Sequence, residues 1–381
     1  MANHEVTRRK FMWSAGAVAG ACALRPLHSP LTFGEFRLRQ SYAGGNVPLR
    51  DRAERKGLLF GSSAQQKEFV EDPALEAAFI AQCNILVPEL ALKWDHLRPT
   101  PETYNFAPVD WLLNFAQQNQ MKFRGHTLVW QEALPTWFAS YVTPQNAQPL
   151  LLNHIAKVVG RYAGKVHSWD VVNEVIWPQD RRSDGLRDSP WLRNLGPGLI
   201  EMAFRAAAQA DPHALLVWNE NWLEEESATG ESKRAFLLQH LKDHLSRGVP
   251  IHGIGIQAHL IGDHSNIGGA HFKQFLNQIT DMGLKILVTE MDVRDFRLPN
   301  DIGTRDKAVA DRYYEFLHTV LAQKSTIAVL TWGLTNRYTW TAHNSPRADG
   351  AQVRPLLFDE DMNPTPAWSA VGRAFDDAPS R

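Results

Sequence analysis

Several things are scarce in this chain. Among 381 residues there are only 2 cysteines, Cys22 and Cys83, which excludes a disulfide framework and a cysteine-based zinc site. There is no excess of one charge. Lys plus Arg is 40 and Asp plus Glu is 41, a formal net charge of −1. General binding to nucleic acid or to an anionic membrane needs a basic surplus, so neither is expected as a partner. After residue 50 there is no long Ser/Gly/Pro linker, which argues for one domain. No run there approaches the ~20 apolar residues of a membrane span. No glycine-rich phosphate loop follows the first apolar run, which weighs against a doubly wound nucleotide-binding sheet. What is plentiful is apolar residues, 44% of the chain, and tryptophan, at 13. The first predicts a large core. The second points to a core plus a surface that uses flat rings.

Residues 1–23 do not read like the rest. Thr7-Arg8-Arg9-Lys10-Phe11-Met12 is a basic cluster that opens onto an uncharged stretch from Phe11 to Leu24. That stretch is too short to span a bilayer. With Ala21-Cys22-Ala23 as a small-residue cleavage site, it is expected to be a twin-arginine export signal. Lipidation at Cys22 is the weaker alternative. The expected location is therefore periplasmic or secreted, with no stable membrane partner after signal removal. Residues 24–50 read as an irregular lead-in, and residues 51–381 as one folded unit.

Over 51–381, short apolar runs alternate with longer helical patterns. The runs are Leu58–Ala64, Asn84–Leu90, Lys122–Leu128, Ser168–Asn173, Ala214–Asn221, Gly253–His259, Lys285–Asp292 and Ala328–Leu334. Each is bounded by polar residues or Gly, as buried parallel strands are. Helices are expected between them. The one beginning at Asp72-Pro73 has a cap and a first-turn proline, and Arg305–Gln323 sets Ala308, Tyr313, Leu317, Val320 and Leu321 on one face. Eight strand–helix units in order predict an α/β fold, a (β/α)8 TIM barrel in a single domain.

In such a barrel the chemistry belongs at the C-terminal strand ends. The fourth run ends Trp169-Asp170-Val171-Val172-Asn173-Glu174, and the seventh holds Thr289-Glu290-Met291-Asp292. A carboxylate directly after a buried strand needs a purpose or a partner. One such Glu is more often half of an ion pair, but two on one barrel face suit glycoside hydrolysis. There one carboxyl gives a proton to the leaving oxygen, and the other attacks or activates water. His126, Gln257 and His259 end neighbouring runs and can hydrogen-bond sugar hydroxyls. Trp94, Trp130, Trp332 and Trp340 lie where an indole could cover a pyranose, whereas Trp111 and Trp169 read as structural. Asp292 lies two residues from Glu290, so both can face one side. It could orient His259 and leave that imidazole for Glu290.

These segments resemble glycoside hydrolase family 10, the endo-1,4-β-xylanases, over about residues 50–375. WDVVNE (169–174) is similar to that family's acid/base motif and VTEMD (288–292) to its nucleophile motif. The resemblance implies Glu174 as acid/base, Glu290 as nucleophile of a retaining mechanism, and Asn173 as a partner of the sugar 2-hydroxyl. RGHTLVW (124–130), GIGIQAH (253–259), WGLTNRYTW (332–340) and PLLFDEDMNPTPAW (355–368) resemble the remaining motifs. The implied substrate is xylan or a xylo-oligosaccharide, with no cofactor, and Glu89 and Lys93 are implied sugar contacts. Departures cluster beside the catalytic position. Leu90 stands for a usual Asn, Gln131 for His, Ala133 for Gln, and Asn336 for Asp. The strand-five segment is Asn219-Glu220-Asn221-Trp222 where Asn-Asp-Tyr-Asn is usual. Another β-linked substrate, or a carbohydrate-binding barrel without catalysis, are the alternatives.

Weaker signals remain. Lys93 could be a Schiff-base lysine, though Glu89 four residues away favours an ion pair or a sugar contact. His240 and His244 have metal-ligand spacing on a helix but no third ligand nearby, and the segment Lys242-Asp243 reads as a solvated face. Asp359-Glu360-Asp361 reads as a turn. No metal is expected, and the chain is expected to act as a monomer.

Overall fold

The eight apolar runs become eight parallel strands in the computed structural model, which describes residues 47–263 and 267–381. The expected export signal and most of the expected lead-in lie outside the described residues. In chain order the strands are β1 (Leu59–Ala64), β2 (Ile85–Pro88), β3 (Lys122–Gly125), β4 (Ser168–Asn173), β5 (Leu215–Glu220), β6 (Gly253–Ile256), β7 (His259–Ile261), β8 (Lys285–Arg294) and β9 (Thr326–Thr331). The barrel runs β1 to β6, then β8 and β9, and closes where β9 pairs with β1. β7 is an extra strand. The run read as Gly253–His259 breaks after Ile256, and β7 lies against the upper half of β8 with His259 opposite Asp292.

Two apolar layers hold this shape. Ile85, Val87, Val217, Leu287, Ala328 and Leu330 form a small cluster of their own, and a much larger one joins strands to helices. Strands buried on both faces account for the unbroken apolar runs. Close approach matters at Gly125, where an added Cβ would lie 2.1 Å from the Trp169 ring. The helices start where their caps are. Asp72 accepts from the amides of Ala74 and Leu75 ahead of Pro73–Gln82, and Asp301 caps Ile302–Leu321.

Some expectations are corrected. The lead-in ends early, because Leu49–Glu54 is already a helix packed by Leu49 and Ala53. On the Ile302–Leu321 helix, Tyr313, Leu317, Val320 and Leu321 are buried, but Ala308 is only half-buried and Val309 and Phe316 take its place. Lys242 and Asp243 are exposed as expected, whereas His244 is buried and His240 half-buried. Each bonds a backbone carbonyl, Asp184 for His240 and His240 for His244. Trp94 is a core residue. It is 2% exposed, its Nε1 donates to the Leu128 carbonyl, and its ring stacks on His154 at 3.8 Å. Among the described residues, no helix is long and apolar enough to cross a membrane.

Candidate active site

A cleft of about 380 Å³ opens at the C-terminal ends of the strands. It is lined by nearly all the residues singled out in the sequence: Glu89, Lys93, His126, Trp130, Asn173, Glu174, Gln257, His259, Glu290, Trp332 and Trp340. Asp292 is fully buried beneath them.

Glu290 sits on β8, 5% exposed, ringed by donors. Asn219 Nδ2 donates to its Oε1 at 2.7 Å, and His259 Nε2 lies 3.3 Å from its Oε2. His126 Nδ1 is 3.8 Å from Oε1. Burial pushes this carboxyl up, but His126, His259 and Lys93 outweigh it and hold it down at about 2. Glu290 is therefore held as the carboxylate at neutral pH. His259 is fixed from its other nitrogen: Nδ1 lies 2.9 Å from Asp292 Oδ2, which also accepts from Trp340 Nε1 at 2.6 Å. Burial disfavours the imidazolium, yet Asp292 and Glu290 raise it to about 10. This arrangement follows from register, since β7 sets His259 opposite Asp292.

Glu174 directly follows β4 and is 12% exposed. Gln257 Nε2 donates to its Oε1 at 3.0 Å and Gln131 Nε2 to its Oε2 at 3.3 Å. Its φ is +55°, a left-handed conformation costing about 1–3 kcal/mol in a residue with a side chain. Ala133, Trp222 and Ala258, after β3, β5 and β6, are also left-handed. These four follow strand ends, while Gln120, Arg181 and Met362 are left-handed elsewhere.

Asn173 joins the two carboxyls. Its Oδ1 accepts from Asn219 at 2.8 Å and from Gln257 at 3.2 Å, while its buried Nδ2 has no protein partner and is free for a ligand hydroxyl. Trp130 and Trp332 flank Lys93, whose Nζ lies 5.1 and 5.6 Å from their ring centroids. Glu89 accepts from Gln65 at 3.2 Å, and burial raises it despite Gln65 and Lys93.

Several working parts were not singled out. Asn219 lay inside a departing segment, although register puts it beside Asn173. Gln131, noted as a departure, touches Glu174 directly. Glu132 lines the cleft, raised first by burial and then by Glu174. Asp170 is buried in a pair with Arg124 and takes His126 Nδ1 at 2.9 Å. A charged residue in the middle of a buried strand was the signal for it.

Ligand atoms of His126, Asp170 and Glu290 lie within 4.8 Å of one another, as do those of Glu226, Glu231 and His271. In the first group Arg124 and Asn219 already supply the donors a cation would replace. In the second, His271 bridges the two carboxylates at the surface.

A family model described as "Glycosyl hydrolase family 10" matches residues 48–374. "Endo-1,4-beta-xylanase B" of Thermotoga neapolitana is 34% identical over 340 residues, 88% of this chain and 94% of that protein. "Beta-1,4-xylanase" of Dictyoglomus thermophilum is 36% identical over 354 residues, 90% and 95% of the two chains. Among solved structures, native xylanase 10B from Thermotoga maritima superposes with a TM-score of 0.79 at 33% identity, covering 87% of this chain and 98% of that one. Xylanase 10B from Thermotoga petrophila RKU-1, in complex with xylobiose, gives 0.78 at 32% identity, with 87% and 98% covered.

Proposed function

The chain belongs to glycosyl hydrolase family 10, and from that premise we propose that Glu174 and Glu290 carry out a retaining hydrolysis in its cleft. The activity is that of an endo-1,4-beta-xylanase, which cuts internal xylosidic bonds of xylan. The observation that carries the mechanism is the shared amide network: Asn173, Asn219 and Gln257 tie one carboxyl to the other across the cleft.

Glu290 attacks the anomeric carbon as a carboxylate while Glu174 gives its proton to the leaving oxygen. Water then resolves the glycosyl-enzyme, with Glu174 taking the proton back. The side-chain amides of Gln257 and Gln131 each donate to one oxygen of Glu174, which fixes the orientation of this carboxyl. His259, held by Asp292, keeps Glu290 charged. The free Nδ2 of Asn173 is placed for a sugar hydroxyl, and Trp130, Trp332 and Trp340 for the apolar face of a pyranose. The uncharged substrate suits a chain whose charges nearly balance.

A second reading keeps the chemistry and changes the polymer. Leu90 lines the cleft with a side chain that cannot hydrogen-bond, and Ala133 is as silent. One experiment separates the readings: mass-resolved products from xylan, β-glucan and mannan with wild-type protein and Glu290→Gln. Wild type is expected to release xylo-oligosaccharides at least about 10⁴-fold faster than the variant. Turnover of glucan alone would remove xylan as substrate, and wild-type rates in Glu290→Gln would remove the nucleophile. The basic–apolar segment Thr7–Leu24 supports export to the periplasm or medium.

A further inference from the structure

The acid/base must do more than be present. Its proton has to meet a lone pair on the leaving oxygen, so its backbone and its carboxyl both need fixing. Glu174 is an unpromising residue to fix. It ends a strand, and its left-handed φ of +55° would relax if nothing held it.

The chain that follows supplies the holding group. After Glu174 it turns out and back, with Ile176 bridging Leu186 and the Trp177 amide donating to the Gly185 carbonyl at 2.8 Å. The return is tight at Gly185, which has φ +69° and no room for a side chain: an added Cβ would lie 2.3 Å from the Phe236 ring. This hairpin brings Arg187 alongside Glu174. Its own amide donates to the Val175 carbonyl at 2.7 Å, and its Nε donates to the Glu174 carbonyl at 2.8 Å. Its Nη2 lies 3.6 Å from Glu174 Oε2. The guanidinium is itself pinned, stacked 3.9 Å from the centroid of Trp177. Trp177 in turn packs on Trp222, with centroids 4.9 Å apart. Arg187 does not line the cleft.

We propose that Arg187 is the positioning residue of the acid/base, one guanidinium holding Glu174 at its carbonyl and beside its carboxyl, with Trp177 as its backstop. A planar, rigid fork can reach both points where a lysine reaches one. The inference rests on Glu174 being the acid/base, and the test keeps the two apart.

The readout is a ratio of two kcat/KM values. One substrate is a dinitrophenyl β-xylobioside, whose leaving group departs without a proton. The other is an unactivated xylo-oligosaccharide, whose leaving oxygen needs one. Arg187→Met is expected to lose about 10–100-fold on the oligosaccharide but less than about threefold on the aryl glycoside. Arg187→Lys and Trp177→Leu are expected to shift the same ratio in the same direction by at least about threefold. They carry the test if Arg187→Met does not fold. Equal losses on both substrates, or a ratio unmoved in all three variants, would overturn the proposal and leave Glu174 in its role. Glu174→Ala is the reference. If it too loses equally on both substrates, the acid/base assignment falls and the Arg187 inference with it.

Discussion

At the scale of the residue, the cleft is built on supporting contacts as much as on its two carboxylates. His259 shows this best. Of its two nitrogens, one faces Asp292 and the other Glu290, so its protonated form is held by both. The imidazolium persists to about pH 10 in the folded protein, against an ordinary value of 6.5. Unfolding releases that proton at any pH between the two values. The stabilisation is therefore complete below pH 6.5 and is lost as the pH climbs toward about 10. A His259→Asn variant lacks this term. Calorimetry should find the gap in melting temperature between wild type and variant widest near pH 6 and shrinking by pH 10. A gap of constant size would mean that His259 does not hold its proton. Glu290 behaves oppositely. Its depressed value means its contribution is present above the ordinary 4.5 and is lost only as the pH falls toward about 2.

At the scale of the element, strand ends carry both function and cost. β5 ends in Glu220, fully buried, with Lys233 Nζ at 3.0 Å and equally buried. Glu220 Oε1 also takes the Ile176 amide at 2.9 Å and Trp218 Nε1 at 3.0 Å, so it anchors the loop after β4. Lys233 also reaches Asn221, a cleft residue. Removing one partner strands the other charge without water. Lys233→Met should cost about 3–5 kcal/mol, whereas the double variant with Glu220→Gln, which removes the second charge and keeps an acceptor for Ile176 and Trp218, should recover much of it. Chemical denaturation of the two variants checks this, and a double variant as unstable as the single one would contradict it. Such pairs also show what was readable beforehand. Strand periods, caps at Asp72 and the two glutamates were visible because each is a local pattern. Asn219, Gln131 and Arg187 were not, because their roles depend on register between neighbouring strands and on a hairpin return. Trp94 was misjudged for the same reason. Its position at a strand end matched the cleft tryptophans, but the ring turned inward onto His154 rather than out to solvent.

At the scale of the whole molecule, a barrel is stable only if it closes, and closure here depends on the far end of the chain. The helix Pro366–Asp377 packs against Ile302–Leu321 and against Leu49–Glu54. Phe375 meets Phe60 of β1 with ring centroids 5.7 Å apart, and Trp368 Nε1 donates to Gln82 Oε1 at 3.0 Å. Gln82 Oε1 also accepts the Leu49 amide at 3.0 Å. Arg381 donates to the Thr326 carbonyl at 2.9 Å, at the start of β9, and its amide bonds the Lys56 carbonyl at 3.0 Å. The last residues thus cover the seam where β9 meets β1. Because one continuous cluster spans Leu49 to Ala378, that seam is part of the core and not a separate unit. Deleting residues 366–381 would uncover Phe60 and Leu49 and leave Gln82 without the Trp368 indole. The cleft lies at the opposite ends of the same strands, so its carboxylates have no support independent of closure. The deletion should abolish the cooperative thermal transition and xylan cleavage together, and raise binding of a hydrophobic dye. A truncated protein that still melted sharply and still cut xylan would show that eight paired strands suffice without their seam.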